Sequence, residues 1–109
     1  DVLDYILSLL IVRDKSQVQE GIIQLRQQID DLDNQLMELL AKRMRVCRQI
    51  GQYKKEHNMT VFQANRYNEI LEKRGAQGAL FGMNPEFVAT VFESVHEESV
   101  RQQIEIINK

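Results

Sequence analysis

The chain has 109 residues, a formal net charge of -2 at pH 7, 43% hydrophobic residues, one proline, one cysteine and no tryptophan. This length suits one small domain, and the slightly negative charge gives no overall attraction for nucleic acid or an anionic membrane surface. The lone Cys47 excludes an internal disulfide and fits a reducing cytoplasm, and no apolar run is long enough to span a membrane. We therefore expect a cytoplasmic protein with no nucleic-acid or membrane partner.

The N-terminal segment differs in composition from the rest. Residues 1–13 (DVLDYILSLLIVR) are strongly apolar, and residues 14–20 (DKSQVQE) are polar, which is typical of a linker or a helix lead-in. Since the chain begins at Asp1 rather than at Met, we interpret it as a piece of a longer protein or a processed form. We expect residues 1–20 to be a linker or the tail of a preceding domain, and residues 21–109 to be the functional domain.

A long amphipathic helix is predicted from about residue 21 to residue 57. Its apolar positions follow alternating steps of three and four residues, at Leu25, Ile29, Leu32, Leu36, Leu39, Val46 and Ile50. A helix of this extent would be about 55 Å long at 1.5 Å per residue. A domain of this size cannot cover it alone, so the helix is expected to pair with a second chain.

Two shorter helices are predicted after it. The first spans about residues 63–74 and ends before Gly75, with residues 75–83 (GAQGALFGM) as a loop because of their glycines. The second begins with Asn84 as N-cap and Pro85 in the first helical position, and it continues to about residue 107. No segment alternates with period two, so the fold class is all-α, with three helices per chain.

Two fixed charges lie on the apolar stripe of the first helix. Arg43 and Lys54 are eleven residues apart, about three turns, and therefore share one face. An arginine stem often lies along apolar surface with its head in water, so one such residue could be purely structural. However, no acidic residue lies three or four positions from either charge. Buried unpaired charge is costly, so a pocket for a small polyanion is a strong alternative.

The other helices add polar groups to their inner faces. Ser99 and Gln103 are one turn apart on the third helix, and the second helix carries three polar residues on one face, Gln63, Arg66 and Tyr67. A non-catalytic helical dimerisation module would explain the long helix. It would give no reason for placing these polar side chains inward.

Arg26 flanks the same seam but lies too far from Arg43 on one helix to share a small ligand with it. If two first helices pair antiparallel and cross near Met37, Arg26 of one chain comes opposite residue 48 of the other. That position lies between Arg43 and Lys54. A second copy would therefore complete the cation cluster.

These residues support a family resemblance. The segments LRQQIDDLDNQLMELLAKRMRVCRQIGQYK, VFQANR and EESVRQQ resemble the all-helical (AroQ-type) chorismate mutases over about residues 22–107. The resemblance implies an intertwined homodimer of three-helix protomers with two shared active sites. It also implies rearrangement of chorismate to prephenate in aromatic amino acid biosynthesis, with no metal and no cofactor. An isochorismate pyruvate lyase has the same fold and the same cations, and it remains an alternative.

The resemblance also implies a role for each site residue. Arg26 is contributed by the other chain, Arg43 binds a substrate carboxylate, and Lys54 and Gln103 donate to the ether oxygen. The remaining polar wall consists of Arg66 and Ser99, with Gln63 near the ring hydroxyl. Much of the family has Glu where this chain has Tyr67, so either Gln63 or the Tyr67 phenol is expected to contact that hydroxyl.

Three further expectations concern residues outside this pattern. Residues 1–13 resemble the tail of a 3-deoxy-7-phosphoheptulonate synthase, which implies a bifunctional protein with a fused or associated synthase domain. Cys47 is interpreted as a small buried residue rather than a nucleophile. His96 lies among glutamates and is interpreted as a surface or dimer-packing residue.

Overall fold

The computed structural model describes the backbone of residues 1–109 and the side chains of residues 1–6 and 17–109. The chain forms three helices, α1 (Val2–Glu56), α2 (Ala64–Leu80) and α3 (Pro85–Ile107). None of the described residues forms a β-strand. The predicted all-α class, with three helices of which the first is the longest, is confirmed.

The first helix begins earlier than expected. Residues 14–20 were expected to be a linker or a helix lead-in, but α1 begins at Val2 and continues through them. The segment contains neither glycine nor proline, and its polarity alone does not interrupt a helix. At the start of α1 the carboxylate of Asp1 accepts a hydrogen bond from the backbone N–H of Leu3 at 2.8 Å. Whether residues 1–20 belong to a preceding domain remains a prediction.

The second helix is longer than the sequence indicates. The prediction of a loop over residues 75–83 is wrong, because α2 continues to Leu80. Both Gly75 and Gly78 are buried within it, and a Cβ atom on Gly78 would lie only 2.4 Å from a methyl carbon of Val88 on α3. Gly78 therefore permits close packing of α2 against α3, and neither glycine breaks α2.

The turn between α2 and α3 is short and well capped. Gly82 has a φ of +77°, and the backbone N–H groups of Gly82 and Met83 donate to the carbonyls of Ala79 and Gly78 at 3.1 and 2.9 Å. This is the Schellman arrangement, which satisfies the last carbonyls of a helix. Asn84 is the N-cap of α3, since its side chain accepts from the N–H of Glu86 at 2.8 Å. Both predicted capping roles at residues 84–85 are confirmed.

The chain divides into two compact units, residues 1–39 and residues 40–109. The second unit consists of the C-terminal part of α1 together with α2 and α3. Its most buried apolar side chains are Cys47, Ile70 and Val88. Helices α1 and α3 approach each other closely at Gly51 of α1. A Cβ atom at this position would lie 3.0 Å from the Cα atom of Gln103, so the two backbones are in direct contact there.

The first unit is the N-terminal part of α1, and its apolar stripe is open. Five stripe side chains are each more than half exposed: Leu25, Ile29, Leu32, Leu36 and Leu39. Apolar side chains at this spacing usually face a packing partner. No helix of the described residues is both long and apolar enough to cross a membrane.

Candidate functional site

A cavity of about 310 Å³ lies within the second unit, between the three helices. It is lined by Arg43, Cys47, Ile50, Lys54, Val61, Gln63, Arg66, Ile70, His96, Ser99 and Gln103. Six of the eight residues that the sequence marks as site residues therefore line one cavity. The two that do not are Arg26 and Tyr67.

Arg43 is held in the cavity wall by α3. The arginine lies half-buried on the inner face of α1, and its guanidinium donates a hydrogen bond to the hydroxyl of Ser99. The Ser99 hydroxyl donates in turn to the carbonyl of Val95 at 2.8 Å. Because the Ser99 hydroxyl donates its hydrogen to Val95, its oxygen can accept the hydrogen bond from Arg43. The serine therefore fixes the position of the guanidinium.

Lys54 and Gln103 form the second polar pair. The Lys54 ammonium donates to the Gln103 side-chain oxygen at 2.9 Å and to the backbone carbonyl of Val61 at 2.7 Å. Because a lysine has three N–H groups, one remains for a ligand. Since the oxygen of Gln103 accepts from Lys54, its NH₂ group remains as the donor of that amide. Burial lowers the pKa of Lys54 below its ordinary value of 10.5, and the nearby Cys47 opposes this shift.

The start of α2 supplies two more accessible groups. Gln63 is the N-cap residue of α2, but its side chain makes no capping hydrogen bond. Arg66 donates to Glu69 at 3.1 Å, and both of these side chains are more than half exposed. An exposed ion pair of this kind contributes little, so the guanidinium can turn to a ligand carboxylate at small cost.

The charge of the cavity wall is one-sided. Three cationic side chains line it, Arg43, Lys54 and Arg66, and within the part of the chain that the structure describes no Asp or Glu lines it. Cations gathered in a partly buried cavity without carboxylates favour a small anionic ligand. The arrangement therefore provides fixed positive charges and neutral donors at one place.

His96 was interpreted from the sequence as a surface or dimer-packing residue, and the structure places it among the residues of the cavity wall. It lines the cavity, and its Nε2 atom is buried with no hydrogen-bond partner among the described residues. Burial lowers the pKa of His96 below 6.5, Arg43 and Lys54 lower it further, and Glu97 opposes them. The sequence did carry a signal, because His96 lies three residues before Ser99 and seven before Gln103, on the same helix face.

Tyr67 lies outside this cavity. It lines a neighbouring cleft of about 370 Å³ with Phe62, His96, Glu97 and Val100. Its ring is tilted against the imidazole of His96 with the ring centres 4.7 Å apart. Burial raises the pKa of Tyr67, and the charges of Glu93 and Glu97 raise it further. The phenol is therefore a neutral group in the adjoining cleft.

Arg26 lies in the first unit and is not among the residues that line the cavity. Its side chain is exposed. Cys47, in contrast, is buried as predicted, and its sulfur lies 3.7 Å from a guanidinium nitrogen of Arg43.

Comparison with known proteins gives one family. A family model described as chorismate mutase type II matches residues 25–104. This region contains Arg26 and every residue that lines the cavity. The match therefore includes the whole of the candidate site.

Individual relatives carry related names. A T-protein of Enterobacter agglomerans is 31% identical over 75 residues, covering 69% of this chain and 20% of the relative. A bifunctional chorismate mutase/prephenate dehydratase of Buchnera aphidicola subsp. Schizaphis graminum is 28% identical, covering 81% and 23%. A 4-amino-4-deoxychorismate mutase of Streptomyces pristinaespiralis is 28% identical, covering 76% and 64%. The chain thus spans about a fifth of the length of the first two relatives.

Proposed function

Because this chain belongs to the chorismate mutase type II family, the all-helical AroQ class, we propose that it catalyses the rearrangement of chorismate to prephenate. In this reaction one C–O bond breaks and one C–C bond forms within the same molecule. The observation that supports the proposal most strongly is the cavity wall, which combines three cations with neutral donors and no lining carboxylate in the described part of the chain. Such a wall suits a dicarboxylate substrate.

The first task of the site is to hold the substrate in its reactive shape. Chorismate must fold its enolpyruvyl arm over the ring before the new bond can form. Arg43, supported by Ser99, binds one carboxylate, and Arg26 of the partner subunit binds the other. Arg66 completes the cationic wall. Two fixed carboxylates remove rotational freedom from the substrate before the reaction.

The second task is to stabilise charge that appears only in the transition state. Negative charge grows on the ether oxygen as the C–O bond lengthens. The ammonium of Lys54 and the NH₂ group of Gln103 are the donors that meet this charge, and their mutual hydrogen bond keeps both in place. A preorganised donor of this kind contributes about 3–4 kcal/mol to the barrier reduction. These contacts bind the transition state better than the ground state.

We propose that the working form is an antiparallel homodimer with two shared sites. The exposed apolar stripe of residues 25–39 supports this, because a second copy of α1 would cover it. Arg26 supports it independently, because this residue belongs to the matched family region but does not line the cavity. A crossing near Met37 would bring Arg26 of the partner subunit to the cavity.

The setting of the domain is a separate proposal. We propose that residues 1–20 connect to a 3-deoxy-7-phosphoheptulonate synthase domain, on the resemblance of residues 1–13 alone. The Buchnera relative, by its name, joins chorismate mutase to a different activity, prephenate dehydratase. The proposed compartment is the cytoplasm, since the chain's single cysteine leaves no internal disulfide.

Product analysis tests the proposed function. The purified chain should consume chorismate and release prephenate, and it should release no pyruvate from isochorismate. Lys54→Ala should lower kcat/KM by about 100- to 1,000-fold, as expected for loss of one transition-state donor. The neighbouring Lys55→Ala is the matched control, because Lys55 is exposed and outside the cavity. Absence of prephenate, or equal loss in both variants, would contradict the proposal.

A further inference from the structure

The cavity wall combines cations with neutral groups and has no negative side chain among the described residues. Arg43, Lys54 and Arg66 line it. Glu69 accepts a hydrogen bond from Arg66 at 3.1 Å but does not itself line the cavity, and Glu97 lines the adjoining cleft. The wall can therefore attract the carboxylates of a substrate, but it provides no anion to neutralise a positive charge on that substrate.

The ring hydroxyl of chorismate should lie beside Lys54. The proposed function places the ether oxygen of the substrate at the Lys54 ammonium and the Gln103 amide, which are hydrogen-bonded to each other at 2.9 Å. In chorismate the hydroxyl is on the ring carbon next to the one that bears the ether oxygen. Whatever substituent occupies that carbon therefore comes close to the lysine.

Gln63 is a neutral side chain in the same part of the cavity. The Lys54 ammonium donates to the backbone carbonyl of Val61 at 2.7 Å, two residues before Gln63, and both Lys54 and Gln63 line the cavity. The Gln63 side chain is exposed and makes no capping hydrogen bond to α2, so its amide is accessible to a ligand. An amide can donate and accept, as a hydroxyl can. Tyr67, the other residue expected to contact the hydroxyl, lines the adjoining cleft.

A ring ammonium in place of the hydroxyl would meet an unfavourable environment. One relative is named 4-amino-4-deoxychorismate mutase, and by that name its substrate carries an amino group where chorismate has the hydroxyl. An aliphatic amine is largely protonated at neutral pH. In the cavity of this chain the ammonium would lie beside Lys54, and like charges placed together oppose binding. The Gln63 amide could accept a hydrogen bond from the ammonium but would not neutralise its charge.

We propose that this cavity is selective for a neutral ring substituent, and that Gln63 is the residue that determines this specificity. Its uncharged amide binds the ring hydroxyl and leaves a ring ammonium without a counter-charge. The proposal rests on the proposed function, which places the ether oxygen at Lys54. It specifies the substrate class further, because the cavity accepts chorismate and rejects its 4-amino analogue. A carboxylate at position 63 should relax this selectivity.

A comparison of two substrates tests the selectivity. The kcat/KM of the purified chain is measured for chorismate and for 4-amino-4-deoxychorismate. Each value is divided by the rate constant for the uncatalysed rearrangement of the same substrate, which removes the difference in intrinsic reactivity. The unaltered chain should favour chorismate by at least about 100-fold, the usual scale of like-charge repulsion at a binding site.

A substitution tests the role of Gln63. Gln63→Glu should move the preference toward the amino substrate by about 10- to 100-fold, the value of a hydrogen bond to a charged group. The kcat/KM for the amino substrate should itself rise above that of the unaltered chain. Gln77→Glu is the matched control, because it makes the same change at an exposed glutamine of α2 outside the cavity, and it should leave both values unchanged.

Folding should not limit this experiment. Gln63 is exposed and stands at the N-terminus of α2, where negative charge is favourable. Circular dichroism verifies the fold of each variant. If Gln63→Glu does not fold, Gln63→Asp places a carboxylate at the same N-cap position and gives the same comparison.

Two results would overturn the proposal. One is equal acceleration of both substrates by the unaltered chain, which would show that the wall does not select by charge. The other is a kcat/KM for the amino substrate that fails to rise in the folded carboxylate variant, which would show that residue 63 does not contact the ring substituent. Failure of the proposed function is a different result, in which the unaltered chain forms no prephenate from chorismate.

Discussion

At the scale of single residues, the proposed chemistry depends on how Lys54 orients Gln103. The ammonium holds the amide oxygen at 2.9 Å, so the amide presents its NH₂ group as the remaining donor. An amide donates at every pH, whereas a carboxyl donates only when protonated. The pair therefore provides two donors without a titrating acid. This accounts for a glutamine that is only 7% exposed in the wall of the proposed anion site.

Replacing this amide by a carboxyl should create a pH dependence that the unaltered chain lacks. The activity of the unaltered chain should be nearly flat from about pH 6.5 to 8, above the range in which His96 takes up a proton and below ordinary lysine ionisation. Gln103→Glu should lose activity steeply as pH rises above the pKa of the introduced carboxyl, because its anion would repel the developing charge. Activity should recover partly in acid. The measurement is kcat against pH.

The matched control for this substitution is Gln77→Glu, which makes the same change at an exposed glutamine outside the cavity. It should leave the pH profile flat. Full turnover of Gln103→Glu at pH 8 would show that Gln103 does not donate to the ether oxygen.

The burial of His96 should make the free energy of unfolding of the ligand-free chain depend on pH. Its pKa is lowered in the folded chain below the ordinary 6.5, so the unfolded chain binds the proton first as pH falls. Stability should therefore be highest above pH 6.5, decrease as pH falls through 6.5, and level off below the folded pKa. Urea unfolding at a series of pH values between about 5.5 and 7.5 measures this slope around the histidine range.

Replacing His96 distinguishes it from other titrating groups. His96→Gln should flatten the slope, because it removes the group whose pKa is lowered by burial in the folded chain. Glu98 does not interfere, because hydrogen bonds from Arg101 and Gln102 lower its pKa to about 2 and its effect is confined to pH below its ordinary 4.5. An unchanged slope in His96→Gln would contradict the burial of the imidazole.

Several residues of the site were predictable, and others were not, for physical reasons. Arg43 and Lys54 were predictable because permanent charge at an apolar position is costly unless a partner is present. His96 was not, because a histidine can be either a neutral cavity group or a surface cation, and the adjacent glutamates in the sequence favoured the surface. The packing of α3 determines whether the His96 side chain lies in the cavity wall or at the surface.

At the scale of elements, the packing of α2 against α3 shapes the second unit. Gly78 allows Val88 of α3 to approach the backbone of α2, and Gly75 lies one turn earlier in a roomier position. A glycine within a helix lowers the stability of the helix by about 1 kcal/mol relative to alanine, so its presence here needs a packing reason. The sequence alone could not provide that reason, because glycine is equally typical of a loop and of a close helix crossing.

The two buried glycines should respond differently to alanine. A Cβ atom at Gly78 would lie 2.4 Å from a methyl carbon of Val88, whereas a Cβ atom at Gly75 would meet its nearest atom at 3.8 Å. Gly78→Ala should therefore cost about 1–3 kcal/mol of unfolding free energy through overpacking. Gly75→Ala should be neutral or stabilising by up to about 1 kcal/mol through helix propensity. Urea unfolding of both variants gives the comparison.

A compensating substitution makes the cause specific. Val88→Ala removes the two methyl carbons that the added Cβ atom would meet and leaves the Cβ atom of residue 88 at 2.9 Å, so the overpacking should be relieved in part. The double variant should therefore be more stable than the sum of the two single effects. Simple additivity of Gly78→Ala and Val88→Ala would show that contact with the Val88 methyl groups does not set the cost.

At the scale of the whole molecule, one chain leaves two features without a purpose. The apolar stripe of residues 25–39 is uncovered, and Arg26 is not among the residues that line the cavity, although it belongs to the matched family region. A second copy of the chain would cover the apolar stripe, and Arg26 would contribute to the cavity of that copy. The sequence predicts this pairing from the length of α1 and the spacing of its charges. The sequence could not predict that α1 begins at Val2, because a polar segment without glycine or proline, such as residues 14–20, is equally compatible with a linker and with a helix.

Mixing two inactive variants tests most directly the central claim, that a cation cavity completed by a second copy rearranges chorismate. Arg26→Ala and Lys54→Ala should each be nearly inactive alone. In a mixed dimer one site carries both changes and the other carries neither, so turnover per mixed dimer should return to about half that of the unaltered dimer. Subunit exchange is verified by mass spectrometry of differently tagged chains. Recovery of activity after exchange is the predicted result, and mixed dimers that remain inactive would contradict the shared site.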